Sequence, residues 1–318
     1  MPILSQHIGR YHAARRREMS PATTDVVFSG SCTALVTPFD GGQLDKDAFC
    51  KLVEWQIESG TDALIPVGTT GESPTLSHEE HDVVVELCIK QAAGRVPVIA
   101  GAGSNSTAEA VRLAKHAADA GADAVLIVSP YYNKPTQHGL YEHFSAVANA
   151  VSVPVIVYDI PGRSIVQVAE ETLERLAADY PNISGIKDAT ADVARPTRIR
   201  NLLGADFAQL SGEDATALPY LAAGGHGCIS VTANVAPKLL SDMHKAWTAG
   251  DIAAAQAINE RLMPLHDAMF CEAIPGPVKY AAKLLGICSE ETRLPLCEIA
   301  PASKARVEAA LRGAGLMN

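Results

Sequence analysis

Eight short apolar runs, each followed by a helical pattern, constrain this 318-residue chain more than any other feature. They lie at 33–37 (Thr-Ala-Leu-Val-Thr), 63–67 (Ala-Leu-Ile-Pro-Val), 97–100 (Pro-Val-Ile-Ala), 124–128 (Ala-Val-Leu-Ile-Val), 154–158 (Pro-Val-Ile-Val-Tyr), 183–187 (Ile-Ser-Gly-Ile-Lys), 206–210 (Asp-Phe-Ala-Gln-Leu) and 227–231 (Gly-Cys-Ile-Ser-Val). Their ends fall roughly 20–35 residues apart, the length of one strand–helix unit. Between them, Phe49, Leu52, Val53 and Ile57 recur at helical intervals, as do Ala108, Val111, Leu113, Ala114 and Ala117. Ser77 with Glu80, and Ser106 with Glu109, have the spacing of capping boxes. Three helices end in Ser59-Gly60-Thr61-Asp62, Ala120-Gly121-Ala122-Asp123 and Ala223-Gly224-Gly225-His226, each with a C-cap glycine just before a strand.

Strands that read as continuous apolar runs are buried on both faces, and such strands are parallel. Eight of them alternating with helices predict an α/β chain folded as a closed (β/α)8 TIM barrel. An open doubly wound sheet would carry a glycine fingerprint in its first unit. The best match, Gly101-Ala102-Gly103-Ser104-Asn105-Ser106, follows the third strand and lacks the last glycine. The barrel is expected over 27–250, with a helical C-terminal extension over 251–318 that breaks at Pro264, Pro275, Pro277 and Pro301. Residues 1–26, with the basic cluster Arg15-Arg16-Arg17, are expected to be a disordered extension, since no apolar stretch follows to make an export signal.

Composition narrows the function. Hydrophobic residues make up 47% of the chain, ample for a large core, and the formal charge is 26 − 36 = −10. An acidic chain with no basic block beyond its N-terminus argues against a nucleic-acid partner. No apolar run approaches a membrane span. The seven cysteines are odd in number and form no C-x-x-C pair, so a disulfide framework or zinc knuckle is not expected, and a cytoplasmic setting is.

Barrel chemistry sits at the C-terminal ends of the strands. There the sequence places Gly68-Thr69-Thr70-Gly71-Glu72-Ser73, Tyr131-Tyr132-Asn133-Lys134-Pro135, Tyr158-Asp159-Ile160-Pro161-Gly162-Arg163, Lys187-Asp188-Ala189-Thr190 and Ser211-Gly212-Glu213-Asp214. Lys187 ends an apolar strand. A lysine held out of water there can offer a neutral amine to a carbonyl, or it can be a structural lysine paired with Asp188 or another carboxylate; placement leaves both open. Tyr158 is a candidate proton carrier or a core tyrosine with a backbone partner. Thr69 and Thr70 can present donors to a carboxylate or merely shape a turn. Arg163 can grip a second carboxylate or rest on a loop carbonyl. His78 and His81 form an H-x-x-H without a third ligand, so no metal is expected. Glu213 and Asp214 stand where a phosphate cradle would be, and would repel phosphate.

Together with the tail Pro275-Gly276-Pro277-Val278-Lys279-Tyr280, these motifs resemble the pyruvate-dependent class I aldolase family of dihydrodipicolinate synthase and N-acetylneuraminate lyase, and its dihydrodipicolinate synthase branch most. The resemblance covers the chain from about Phe28 to near its C-terminus. It implies condensation of pyruvate with L-aspartate-4-semialdehyde in lysine biosynthesis, without metal or organic cofactor. Lys187 would form the Schiff base, Thr69 and Thr70 would hold pyruvate's carboxylate, and Gly212 and Ile229 would line its pocket. Tyr158 would shuttle protons with Thr70 and with Tyr132 of a partner subunit, and Arg163 would hold the semialdehyde's carboxylate. The resemblance also implies a homotetramer built as a dimer of dimers. It further implies feedback inhibition by L-lysine bound near Ser73, His78, His81, Asn105, Glu109 and Tyr131. On the residues alone, Ser106 and Glu109 can be only a cap, and His78 and His81 only a solvated helix face. Departures from the family pattern are Asp159 for the common asparagine, Pro74 for alanine and Cys228 for valine. The alternative within the family is an aldolase acting on a sugar acid, N-acetylneuraminate or a 2-keto-3-deoxy acid; Arg163 speaks against it.

Overall fold

A computed structural model describes residues 28–318; the predicted extension at 1–26 lies outside the described residues. Eight strands form one all-parallel sheet: β1 (Gly30–Ala34), β2 (Ala63–Ile65), β3 (Ile99–Gly101), β4 (Ala124–Val128), β5 (Val155–Asp159), β6 (Ile183–Asp188), β7 (Ala208–Ser211) and β8 (Gly227–Ser230). Their order is β2-β1-β8-β7-β6-β5-β4-β3, and a bridge between Leu64 and Val98 joins the two ends into a barrel.

The alternation along each strand explains the continuous apolar runs. Leu126, Ile156, Leu210 and Ile229 point inward and pack as one buried cluster with Tyr158. Their neighbours Val125, Ile127, Val155 and Val157 point outward into a second cluster shared with the helices. The first strand begins and ends three residues before the predicted run at 33–37. The end of that run instead tethers mouth loops. The Val36 N–H donates to Asn234 Oδ1 (3.0 Å), and the Thr37 hydroxyl donates to the Gly71 carbonyl (2.7 Å). The second and third strands are also trimmed, at Pro66 and Pro97, where the chain has no N–H to give.

Helices α1 (Lys46–Glu58), α2 (His78–Ala92), α3 (Thr107–Ala120), α4 (Gln137–Ala150), α5 (Glu170–Asp179), α6 (Arg195–Leu203), α7 (Ala217–Ala222) and α8 (Pro237–Thr248) follow the eight strands in turn. The three glycine-ended phrases share one device. Gly60, Gly121 and Gly224 take φ of +88°, +98° and +104°, which only glycine adopts cheaply. Two residues on, Asp62, Asp123 and His226 each donate an N–H to a carbonyl of the preceding strand segment, on Ser31, Val98 and Gln209. Their side chains accept the N–H of that same residue, all six bonds measuring 2.7–3.0 Å. Opposite the mouth, the floor of the barrel is thus stapled from one strand to the next.

The C-terminal extension comprises α9 (Ile252–Met269), α10 (Gly276–Leu284) and α11 (Pro301–Gly313). Pro264 does not break the chain as predicted: α9 runs through it. A proline inside a helix costs about 3 kcal/mol. Its exposed ring leaves the stranded carbonyl to water, while burial of Leu262, Leu265 and Met269 on the other face contributes about 1.5–3 kcal/mol each. Pro275, Pro277 and Pro301 do sit at helix starts. No helix of the described residues is long and apolar enough to cross a membrane.

Candidate active site

β5 and β6 are paired so that Tyr158 lies opposite Lys187 and Asp159 opposite Asp188. Successive residues face opposite sides of the sheet, so the first pair enters the barrel and the second points out toward α6. There Arg195, fully buried, donates to Asp159 (2.8 Å), to Asp188 (3.3 Å) and to the Val168 carbonyl (2.7 Å). Thr190 donates its N–H and hydroxyl to the same Asp188 oxygen. Burial raises the Asp159 carboxyl to about 6, and Arg195 opposes the rise. Asp188 is therefore engaged behind the strand, and the pairing of Lys187 with it does not form.

Lys187 is only 5% exposed, and among the described residues it enters no ion pair. Its Nζ lies 4.3 Å from the centroid of the Tyr158 ring. Gly212 makes room for the lysine stem: a Cβ there would stand 3.2 Å from Lys187 Cε and 2.7 Å from Ala189 Cβ. Ile229, fully buried, packs in the inner cluster with Tyr158.

Tyr158 forms part of the wall of a cavity of about 230 Å³ at the mouth, with Thr69, Ser73, Tyr131 and Arg163. Thr69 is half-buried and Thr70 buried, on a loop that leaves β2 through two left-handed residues, Val67 (φ 49°) and Glu72 (φ 55°). Positive φ at a β-branched residue is a strained conformation that persists only where the surroundings impose it. Arg163 sits in a single helical turn, Pro161–Ser164. It is exposed and enters no ion pair among the described residues. Glu213 also faces this region: burial, with Asp214 beside it, raises its carboxyl, while Lys187 and Arg163 draw it back. Of the two acids expected to repel a phosphate, Asp214 turns away from the mouth. It is buried beneath β8, accepting from the Ser230 hydroxyl and from the N–H groups of Val231 and Thr232.

The two S-x-x-E segments diverge. At α2 the box closes: Ser77 Oγ accepts from the Glu80 N–H (3.1 Å), and Glu80 accepts from the Ser77 N–H (2.9 Å). At α3 it does not, and Ser106 makes no side-chain cap. Glu109 turns instead to Ser104 and to His78, whose Nε2 lies 2.6 Å away, and these bonds hold its carboxyl below the usual glutamate range. His81 is not on a solvated face. It is buried, its Nε2 lies 3.0 Å from the Gly101 carbonyl, and burial pulls its imidazole down to about 4. Asn105 accepts from Asn133 Nδ2 on its carbonyl (2.8 Å). Ser73 and Tyr131 line the mouth cavity, whereas Tyr132 is 86% exposed at φ 72°. The structure thus joins His78 to Glu109, puts Ser73 and Tyr131 on the wall of one cavity, and sets Tyr132 and His81 apart, one outward and one inward. Sequence reading missed the clamp of Arg195, which stands outside the quoted motifs, five residues after Thr190.

The sequence profile of the dihydrodipicolinate synthetase family matches residues 27–314. A 4-hydroxy-tetrahydrodipicolinate synthase of Acidiphilium cryptum is 59% identical over 292 residues, covering 92% of this chain and 100% of that one. Among solved structures, the chloride-inhibited dihydrodipicolinate synthase of Acinetobacter baumannii, complexed with pyruvate, is 46% identical with a TM-score of 0.88, covering 91% of this chain and 100% of that chain. The enzyme of Cyanidioschyzon merolae with lysine bound is 40% identical with a TM-score of 0.89, covering 92% and 99%. A match across the whole barrel and its extension, at such identity, leaves one conclusion: this chain belongs to the dihydrodipicolinate synthetase family.

Proposed function

We propose that this chain performs the 4-hydroxy-tetrahydrodipicolinate synthase reaction, condensing pyruvate with L-aspartate-4-semialdehyde through a Schiff base on Lys187. The observation that carries the assignment of the lysine is its burial at the barrel mouth without a carboxylate partner, against the ring of Tyr158. The Lys187 amine adds to the keto carbon of pyruvate, and Tyr158 supplies the proton with which the hydroxyl leaves as water. Loss of a proton from the methyl carbon gives an enamine. That carbon attacks the aldehyde of the second substrate, whose own amino group then displaces Lys187 as the ring closes.

Thr69 and Thr70 hold the pyruvate carboxylate, and Gly212 and Ile229 shape the pocket around its methyl group. Thr70 and Tyr132 of a second copy complete the proton relay with Tyr158; an exposed tyrosine on a left-handed turn suits insertion into a partner. The assembly proposed is a homotetramer of two tight dimers in the cytoplasm, which sedimentation at assay concentration would test. Arg163, exposed beside the cavity and free of ion pairs among the described residues, takes the semialdehyde's carboxylate. L-lysine is proposed to inhibit by binding among Ser73, His78, Asn105, Glu109 and Tyr131, with buried His81 behind them. The support is Glu109, which leaves its helix cap unmade and offers an outward carboxylate beside His78. The sugar-acid alternative is not favoured, because the matching relatives carry the synthase name over nearly their full lengths.

Borohydride added with pyruvate should leave a stable adduct on the peptide containing Lys187. An active protein labelled on a different lysine would overturn the assignment.

A further inference from the structure

The family tail at Pro275–Tyr280 has no part in the chemistry above, yet it carries a fully buried lysine. Lys279 Nζ donates to Glu72 Oε1 (2.5 Å) and to the Glu291 carbonyl (2.6 Å), and lies 4.1 Å from the centroid of Phe39. The other Glu72 oxygen accepts the N–H of Arg293 (3.0 Å). Arg293 reaches across the opposite end of the same loop, donating to Glu80 twice at 2.6 Å, to the Thr75 carbonyl (3.1 Å) and to the Gly42 carbonyl (2.9 Å). Glu72 is thus gripped through both oxygens by residues 207 and 221 positions away, all in the C-terminal extension.

Glu72 is also the left-handed residue that closes the turn Gly68–Ser73, two positions after Thr70. A glutamate holds that backbone conformation only where its surroundings over-determine it. Within the turn itself the backbone bonds run from 3.1 Å, for the Gly71 N–H to Gly68, through 3.2 Å, for the Glu72 N–H to Thr69, to 3.4 Å, for the Ser73 N–H to Gly68. The shortest contacts on it come from distant segments, from Lys279 on Glu72 at 2.5 Å and from Thr37 on Gly71 at 2.7 Å, against 2.9 Å for the Thr75 N–H on the Glu72 carbonyl. We propose that Glu72 and Lys279 are positioning residues for pyruvate: their buried ion pair sets the threonine turn, so that the C-terminal extension determines how the substrate carboxylate is held. This rests on the reading that Thr69 and Thr70 bind that carboxylate.

Two variants test it, with Thr70→Val as reference. Glu72→Asp keeps the paired charge but shortens its reach by one methylene. Glu72→Gln with Lys279→Met removes both charges together, leaving no unpaired ion in the core. Both should raise the KM for pyruvate about 10- to 100-fold, the cost of misplacing a binding group by about an ångström. The KM for the semialdehyde should stay within about two-fold, because Arg163 is untouched. A purely structural pair predicts otherwise: pyruvate KM would follow the melting temperature and return to wild type in whichever variant melts normally. That return overturns the proposal, and either variant alone suffices to read it. If Thr70→Val raises pyruvate KM and the two variants do not, the positioning role fails while the carboxylate reading stands. If Thr70→Val leaves pyruvate KM unchanged, the carboxylate reading fails and the proposal with it.

Discussion

Two buried lysines stand near the mouth of this barrel, in opposite electrostatic company. Lys279 meets the carboxylate of Glu72 and the carbonyl of Glu291, with Phe39 beneath it. Burial pulls its ammonium below the usual lysine value, and Glu72 opposes the change. Lys187 has a similar aromatic floor in Tyr158, but Asp188 beside it and Asp159 on the paired strand are held on the far side of the sheet by Arg195. The difference is one of partners more than burial. A paired lysine is a strut, and the unpaired one against Tyr158 is the one proposed above as the reagent.

The comparison is broken most directly by removing each lysine. Lys187→Met should lower kcat by roughly 10⁴-fold or more, as loss of a nucleophile does. It should leave stability nearly unchanged, because no ion pair is dissolved. Lys279→Met should instead cost about 3–5 kcal/mol of stability, since it strands the Glu72 carboxylate in the core. Urea midpoints and initial rates on both variants decide this. Equal losses of stability would erase the distinction.

Arg163 extends the reagent side. Replacing it with alanine should lower kcat/KM for the semialdehyde roughly 10- to 150-fold, equivalent to about 1.5–3 kcal/mol for a charge-assisted contact. Unchanged semialdehyde kinetics would remove the arginine from the site.

Glu109 is the contrasting case at the surface, a carboxylate paired with a half-exposed histidine rather than a buried cation. Glu109→Ala should abolish inhibition by L-lysine, a coupling of about 1–3 kcal/mol, while pyruvate turnover persists. A titration with L-lysine that stays flat to millimolar concentrations in the parent protein would mark the cluster as structural.

The smallest effect separates the two S-x-x-E segments. Ser77→Ala should cost about 1 kcal/mol of stability, the usual value of an N-cap. Ser106→Ala should cost only a few tenths, because its hydroxyl caps nothing. Equal melting-temperature shifts would mean that the α3 box closes in solution.

Much of the barrel was legible because its signals are local. A strand buried on both faces must be apolar along its length, and a glycine cap must sit where the chain turns with positive φ. The strand ends then located the candidate residues, since barrel geometry gathers them at one mouth. Boundaries failed where tertiary tethers took over from the ladder, as at Val36 and Thr37, and where packing outweighed local preference, as at Pro264.

Sequence by itself determined the alternation of strand and helix, the glycine caps at the floor and the motifs that reach the mouth, because each depends on neighbours a few residues away. Only the tertiary structure decided which of two identical spacings became a helix cap, which of two histidines three positions apart was buried, and which of two lysines was left without a carboxylate. Those outcomes depend on partners such as Glu72 and Lys279, 207 residues apart, which meet only when the extension packs against the closed barrel.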